Sequence, residues 1–153
     1  MEAIDILYKI YLDNCCYNRP FDDQSQIRIQ LETLAKLHIQ QQIKNGVYFL
    51  VWSYILDYEN QQNPFIDKRL AIMPWRYIAH QIVDKENESI LTFAEQLAPM
   101  GIKTFDALHI ACAVYAKCDF YITTDRKLLN KTIGEIQIIN PIDFIMKTEG
   151  TLI

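Results

Sequence analysis

Four carboxylates stand where chemistry can use them. Asp13 closes the apolar run ILYKIYL, Glu59 follows Ser53 in an S-x5-E spacing, Asp106 opens TFDALHIA, and Asp125 closes YITTD just past Thr123. Taken singly, each has a structural use: an Asp before a short helical run caps it, and an acid in a first turn is favoured by the helix dipole. Taken together they have another. Carboxylates gathered at one place repel one another and ionise together only when a cation offsets them. An all-oxygen donor set suits Mg²⁺ or Mn²⁺. Such ions activate a water and steady in-line displacement at a phosphodiester, whose phosphate supplies further oxygen ligands.

That chemistry needs elements that bring residues 13, 59, 106 and 125 together. Ile6 to Leu12 reads as a buried strand, followed by a loop through Asn18-Arg19-Pro20 to Asp23. Ser25 reads as the N-cap of a long amphipathic helix, whose Ile27, Leu31, Leu34, Leu37 and His38 recur at helical spacing until Asn45-Gly46. Val47 to Trp52 is a second strand, and SYILDYENQQ is a helix ending at Asn63-Pro64. On that helix Asp57 and Glu59 lie about 200° apart, so one of them can face the sheet edge while the other faces water. Pro64 to His80 is helical and divided at Pro74.

A helix from Asn87 to Ala98 follows, then a break at Pro99-Met100-Gly101. Thr104 reads as the N-cap of TFDALHIACAVYAKC, whose broad apolar face predicts a largely buried helix. Asp119 to Thr123 is the third strand, Asp125 to Lys131 a short helix and Ile136 to Ile139 a fourth strand, before Pro141 starts a last helix. Near-continuous apolar strands separated by helices give an α/β class: one domain over residues 1–153, three layers α/β/α around a parallel sheet of four to five strands. Chemistry in such sheets gathers outside the carboxyl ends of the strands, which is where Asp13 and Asp125 fall.

Composition excludes several classes. Only four glycines occur, too scattered for a phosphate-cradling loop, so both dinucleotide and P-loop fingerprints are absent. Fifteen Lys and Arg against nineteen Asp and Glu give a net charge of −4, the opposite of the usual nucleic-acid footprint. The longest uncharged stretches fall well short of the roughly 20 residues that cross a bilayer. The start, with Glu2 and Asp5, lacks the positive charge of a signal peptide. Cys15, Cys16, Cys112 and Cys118 form no C-x-x-C pair and read as buried reduced thiols, which predicts a cytoplasmic protein.

On these motifs the chain resembles the PIN domain, the metal-dependent ribonuclease fold of VapC-type toxins in bacterial toxin–antitoxin pairs. The resemblance runs from about Ile10 to Phe144: an Asp ending the first strand, S-x5-E after the second, a D-A-L-h-x-A helix, and T-x-D after a later strand. It implies that Asp13, Glu59 and Asp106 hold Mg²⁺ or Mn²⁺, that Asp125 supports the site, and that the Thr123 hydroxyl orients a carboxylate or a water. It also implies an RNA substrate, an antitoxin partner and a homodimer. Asn14 stands where the family commonly has Thr or Ser. Residues 64–80 are an insert on the common pattern, and its Lys68, Arg69 and Arg76 face either RNA or water.

Rival readings fail on particular residues. A haloacid-dehalogenase phosphatase needs D-x-D, and Cys15 stands at the second position; a receiver domain needs an acid pair where Asn14 stands and a late Lys that IQIINP lacks. The live alternative is a catalytically silent PIN-like module that binds a protein partner. Arg19 and Arg126 neighbour Asp13 and Asp125 and either contact a substrate phosphate, as bidentate guanidinium groups do, or pair with the acids. His109, one turn from Asp106, reads as a satisfied histidine, and the tryptophans and tyrosines read as core. With the four acids set aside, fifteen acids face fifteen bases. RNA affinity should therefore be weak without metal.

Overall fold

Short apolar runs become parallel strands here because helices cover them on both sides. The computed structural model describes residues 7–150; Ile6, Glu2 and Asp5 lie outside the described residues. Among these, β1 (Tyr8–Leu12), β2 (Tyr48–Ser53), β3 (Gln81–Val83), β4 (Phe120–Ile122) and β5 (Gln137–Ile139) form one parallel sheet in the order β3-β2-β1-β4-β5. Between β1 and β4 the winding reverses, which makes the carboxyl end of β1 the switch point of an open α/β sheet. Ile10, Tyr11 and Leu12 are fully buried, as a central strand covered on both faces requires.

Register and side-chain alternation decide what faces what. Ile10 pairs with Phe120 and Tyr8 with Tyr48. On that face Phe144, from α9 (Pro141–Glu149), packs edge-on against Tyr48 and Phe120 at centroid distances of 4.9 and 5.2 Å. Tyr11 pairs with Tyr121 and stacks on it, and both turn to the opposite face, where α7 (Thr104–Tyr115) lies. Asp13 and Thr123 fall two residues beyond Tyr11 and Tyr121. The same alternation therefore aims them toward the α7 side of the carboxyl edge.

Several connections differ from the sequence reading. The stretch after Asp13 is a one-turn helix, α1 (Asn14–Asn18), which Asp13 itself caps. Ser25 is spent in a turn, donating its N–H and hydroxyl to Asp23, and α2 (Ile27–Lys44) follows Gln26 without a side-chain cap. Pro74 divides the insert into α4 (Ile66–Ile72) and α5 (Pro74–Ile78), after α3 (Tyr54–Gln61). β3, with its polar start at Gln81, is too short to carry a period of its own. Asn87 caps α6 (Glu88–Leu97) through Ile90 N–H. Thr104 is the first helical residue of α7 and Lys103 its flanking residue, while α8 (Arg126–Leu129) starts after Asp125.

α2 shows the largest difference. Its Ile27, Leu31, Leu34 and Leu37 face solvent, while Glu32, Thr33, Ala35, Lys36, Ile39, Gln40 and Ile43 are buried. Both sets recur at helical spacing, and packing decides between them. Glu32 is buried between Arg19 at 2.9 Å and Arg28 at 3.5 Å, and Lys36 lies over the Tyr17 ring, so the charged members of the inner face have partners, whereas Gln40 Nε2 has none among the described residues. Leu34→Gln is expected to change the unfolding free energy by no more than about 0.5 kcal/mol, while Ile39→Ala costs about 2–4 kcal/mol. Urea denaturation of the two variants checks this, and equal losses would contradict the orientation.

The far end of the domain is held by one carboxylate. Glu149 accepts from His38 Nε2 at 2.9 Å, Tyr48 Oη at 2.6 Å and Gln42 Nε2 at 3.0 Å, joining α9 to α2 and β2. Burial opposes its ionisation, but these donors prevail and hold the carboxyl below its ordinary 4.5. A depressed folded value means that the stabilisation is in place above the unfolded value and is lost as pH falls through the folded one. Glu149→Gln is therefore expected to flatten the acid limb: its urea midpoint should drop less than the wild type's between about pH 5 and pH 3.

Candidate active site

Asp13 is 5% exposed and fixed on three sides. Its backbone N–H donates to Ile122 O at 2.9 Å, carrying the β1–β4 pairing to the edge. Its Oδ1 accepts from Asn14 N–H at 2.7 Å and its Oδ2 from the Thr123 hydroxyl at 2.8 Å. Thr123 Oγ1 in turn accepts the Asp125 N–H at 3.1 Å, and Asp125 Oδ1 caps α8 through Lys127 N–H at 2.9 Å. Two strand ends and one helix start are thus locked by a single hydroxyl. The half-buried Cys15 thiol adds contacts with Asp13 Oδ2 at 3.5 Å and Thr123 Oγ1 at 3.3 Å.

Of the two acids on α3, Glu59 turns to this edge. Asp57 turns away and accepts from Trp52 Nε1 at 2.8 Å and Arg76 Nε at 3.1 Å. Glu59 Oε2 accepts from Asn14 Nδ2 at 3.1 Å, and its Oε1 is bonded to His109 Nε2. His109 is 1% exposed, and its Nδ1 meets Tyr11 Oη at 2.6 Å; Tyr11 Oη meets Ser53 Oγ at 2.6 Å, and Ser53 Oγ also accepts Leu56 N–H at the start of α3. With His109 protonated at Nε2, every donor in this line has an acceptor: Nε2–H meets Glu59, Tyr11 O–H meets Nδ1, Ser53 O–H meets Tyr11 Oη and Leu56 N–H meets Ser53 Oγ. Burial works against a second proton on the ring, but the bond to Glu59 and the fields of Asp13, Glu59 and Asp106 outweigh it and raise the imidazole above its ordinary 6.5.

Asp106, in the first turn of α7, makes no side-chain hydrogen bond among the described residues. Burial first, then the charges of Asp13 and Asp125, push its carboxyl up to about 6, against the opposing pull of His109. The four acids therefore sense one another at one edge. They do not form a closed cage: among the described residues no three His, Cys, Asp or Glu side chains are grouped as ligands of one ion. Asp106, Asp125, Lys103, Lys127 and Lys131 line a cavity of about 280 Å³. A larger cavity, about 550 Å³, opens beside Asp119 and Gly134 and holds none of the four acids.

The cations divide. Arg19 is engaged by Asp22 and Glu32, both at 2.9 Å, while Arg126 is exposed beside Asp125. In the insert, Arg76 pairs with Asp57, and Lys68 lies over the Phe21 and Phe65 rings. No helix among the described residues is long and apolar enough to cross a membrane. Sequence reasoning did not find Cys15 beside Asp13, nor Tyr11 and Ser53 as the hydrogen-bonded line behind His109. The available signal was alternation, since Tyr11 and Asp13 share a strand face.

The five-stranded parallel sheet, ordered β3-β2-β1-β4-β5 and covered by helices, gives an α/β fold. No family profile and no curated protein sequence matches the chain. Among solved structures, the crystal structure of VapBC2 from Rickettsia felis, bound to a DNA fragment from its promoter, contains a chain of similar fold. The TM-score is 0.52 at 14% identity, covering 86% of this chain and 98% of that one.

Proposed function

We propose that the chain is a Mg²⁺- or Mn²⁺-dependent endoribonuclease of the PIN type, acting in the cytoplasm as the toxin of a toxin–antitoxin pair. The observation that carries this reading is the grouping of the acids: Thr123 ties Asp13 to Asp125, Asn14 ties Asp13 to Glu59, and Asp106 shares a cavity with Asp125. A carboxyl raised by burial and by the charges of Asp13 and Asp125, as that of Asp106 is, is an environment a divalent ion relieves. The donors fit a hard cation, being carboxylate oxygens from four separate elements. Asp13, Glu59 and Asp106 would hold the ion, with Asp125 in support. When bound, such an ion lowers the pKa of water and offsets charge developing on a phosphodiester.

The chain's own residues do the rest. Thr123 and Asn14 N–H hold the Asp13 carboxylate in one rotamer, and Asn14 Nδ2 and His109 hold that of Glu59. Lys103, Lys127 and Lys131 ring the cavity beside Asp106 and Asp125, where they can take up backbone phosphates, with Arg126 exposed nearby. An antitoxin partner and a homodimer belong to the same reading, supported by the fold shared with a chain of VapBC2 and by the solvent-facing leucines of α2.

The test is cleavage of single-stranded RNA by purified protein with Mg²⁺ or Mn²⁺, with and without excess EDTA. Metal-dependent cleavage is expected, and cleavage that persists in EDTA overturns the mechanism. The second reading, a silent module that binds a protein, is favoured by the same exposed leucines. Failure of the protein to take up Mn²⁺ in calorimetry would support it.

A further inference from the structure

The sequence reading places the tryptophans and tyrosines in the core, and Trp52 and Trp75 are indeed buried. Tyr58 and Phe105 are not. Each is 47% exposed, and their rings stack across α3 and α7 at a centroid distance of 5.5 Å and an interplanar angle of 18°. Each also directly precedes a candidate acid, Glu59 or Asp106. The pair borders a cavity of about 400 Å³ whose other walls are Asn14, Glu59, Gln62 and Asn63.

The chemistry of this cavity differs from that of the lysine-rimmed one. Here the walls are aromatic faces, side-chain amides and the Glu59 carboxylate, with no cation among them. Two of the amides are committed: Asn14 donates to Glu59, and Asn63 is bonded to Asn18 and to Phe65 N–H. The exposed Gln62 amide makes no hydrogen bond to another described side chain, which leaves its donor and acceptor available. Glu59 lines this cavity, and Asp106 and Asp125 line the one rimmed by Lys103, Lys127 and Lys131. Cations beside two of the acids and aromatic faces with a free amide beside a third match one ligand class, a strand whose phosphates and unstacked bases are both accessible.

We propose that Tyr58 and Phe105 form a platform for an unpaired nucleobase next to the scissile phosphate, with Gln62 at its edge, so that the substrate is single-stranded. This rests on the nuclease reading for its placement beside the reaction, but the platform itself is a binding property. A base in a duplex is already stacked on both faces and paired along its edge, so it cannot enter the cavity. An aliphatic side chain at either position keeps the apolar area and loses the ring face.

The test uses a fluorescein-labelled single-stranded octaribonucleotide of mixed sequence and the same strand in a blunt duplex. Binding is measured by anisotropy in the Asp13→Asn background, which keeps the probe intact. Tyr58→Leu and Phe105→Leu should each weaken single-strand binding about 10- to 100-fold. Tyr58→Phe and Phe105→Tyr should restore it, and duplex binding should be weak and unmoved by any of the four. Leu variants that bind the single strand as tightly as the background, or a duplex bound as tightly as the strand, overturn the proposal. Unchanged thermal midpoints of these surface variants keep a binding loss from being read as unfolding. Failure here is separable from failure of the nuclease reading: metal-dependent cleavage with unaffected Leu variants removes the platform alone. Absent cleavage with weakened Leu variants removes the nuclease and keeps the platform.

Discussion

Asp13→Asn is expected to reduce metal-dependent RNA cleavage by about 100-fold or more, equivalent to at least about 2.7 kcal/mol of barrier. The substitution is close to isosteric, and Asn is as good an N-cap as Asp, so α1 keeps its bond from Asn14 N–H. The Thr123 hydroxyl keeps a partner at the same place and can reverse its direction. What is lost is one negative charge at a position 5% exposed. A second readout follows from the same charge. Because Asp13 helps to raise the Asp106 carboxyl to about 6, removing it should bring that carboxyl down, which a carbon-detected NMR titration of the metal-free protein can follow. Full cleavage by the variant would remove Asp13 from the mechanism, and an unmoved Asp106 would remove the electrostatic link.

His109→Ala is expected to cost about 3 kcal/mol of stability. The imidazole is buried and links Tyr11 Oη to Glu59, so its removal leaves a void and a buried phenol without one partner. At this chain length the melting temperature should fall by roughly 6–12 °C. Tyr11→Phe removes only one hydroxyl and should cost about 1 kcal/mol. Glu59 is partly solvated, so its own loss of partner adds little to stability and more to position. Mn²⁺ affinity in calorimetry should drop for His109→Ala more than for Tyr11→Phe, since only the first touches the carboxylate. Equal stability of wild type and His109→Ala would show that the buried line of hydrogen bonds contributes nothing net.

Much of the candidate site's placement was legible because its acids sit at element boundaries. Asp13 and Asp125 follow apolar runs directly, and a residue that ends a parallel strand is at the reactive edge whatever the details of packing. The separation of Asp57 from Glu59 followed from helical geometry, although which one turned inward did not. It depended on Trp52 and Arg76 offering donors to Asp57. His109 was legible as a satisfied histidine, but its partners were not: Tyr11 is 98 residues away in sequence and Glu59 is 50. α2 was misread because two stripes share its period. Hydrophobicity favoured Ile27, Leu31, Leu34 and Leu37, whereas ion pairs to Arg19 and Arg28 allowed Glu32 to go inward. Such compensation depends on neighbours that no local pattern contains.

The hydroxyl of Thr123 reaches Asp13 across 110 residues of sequence, and β4 enters the sheet beside the first strand of the chain. During synthesis, β1 and β2 can meet once residue 53 has emerged, yet the edge that holds the acids lacks its other half until residue 125 has left the ribosome. Chains grow at roughly 5–20 residues per second, so several seconds separate the first acid from the last. Until then the edge that carries the acids is incomplete, and any chemistry it performs waits for β4 to join β1.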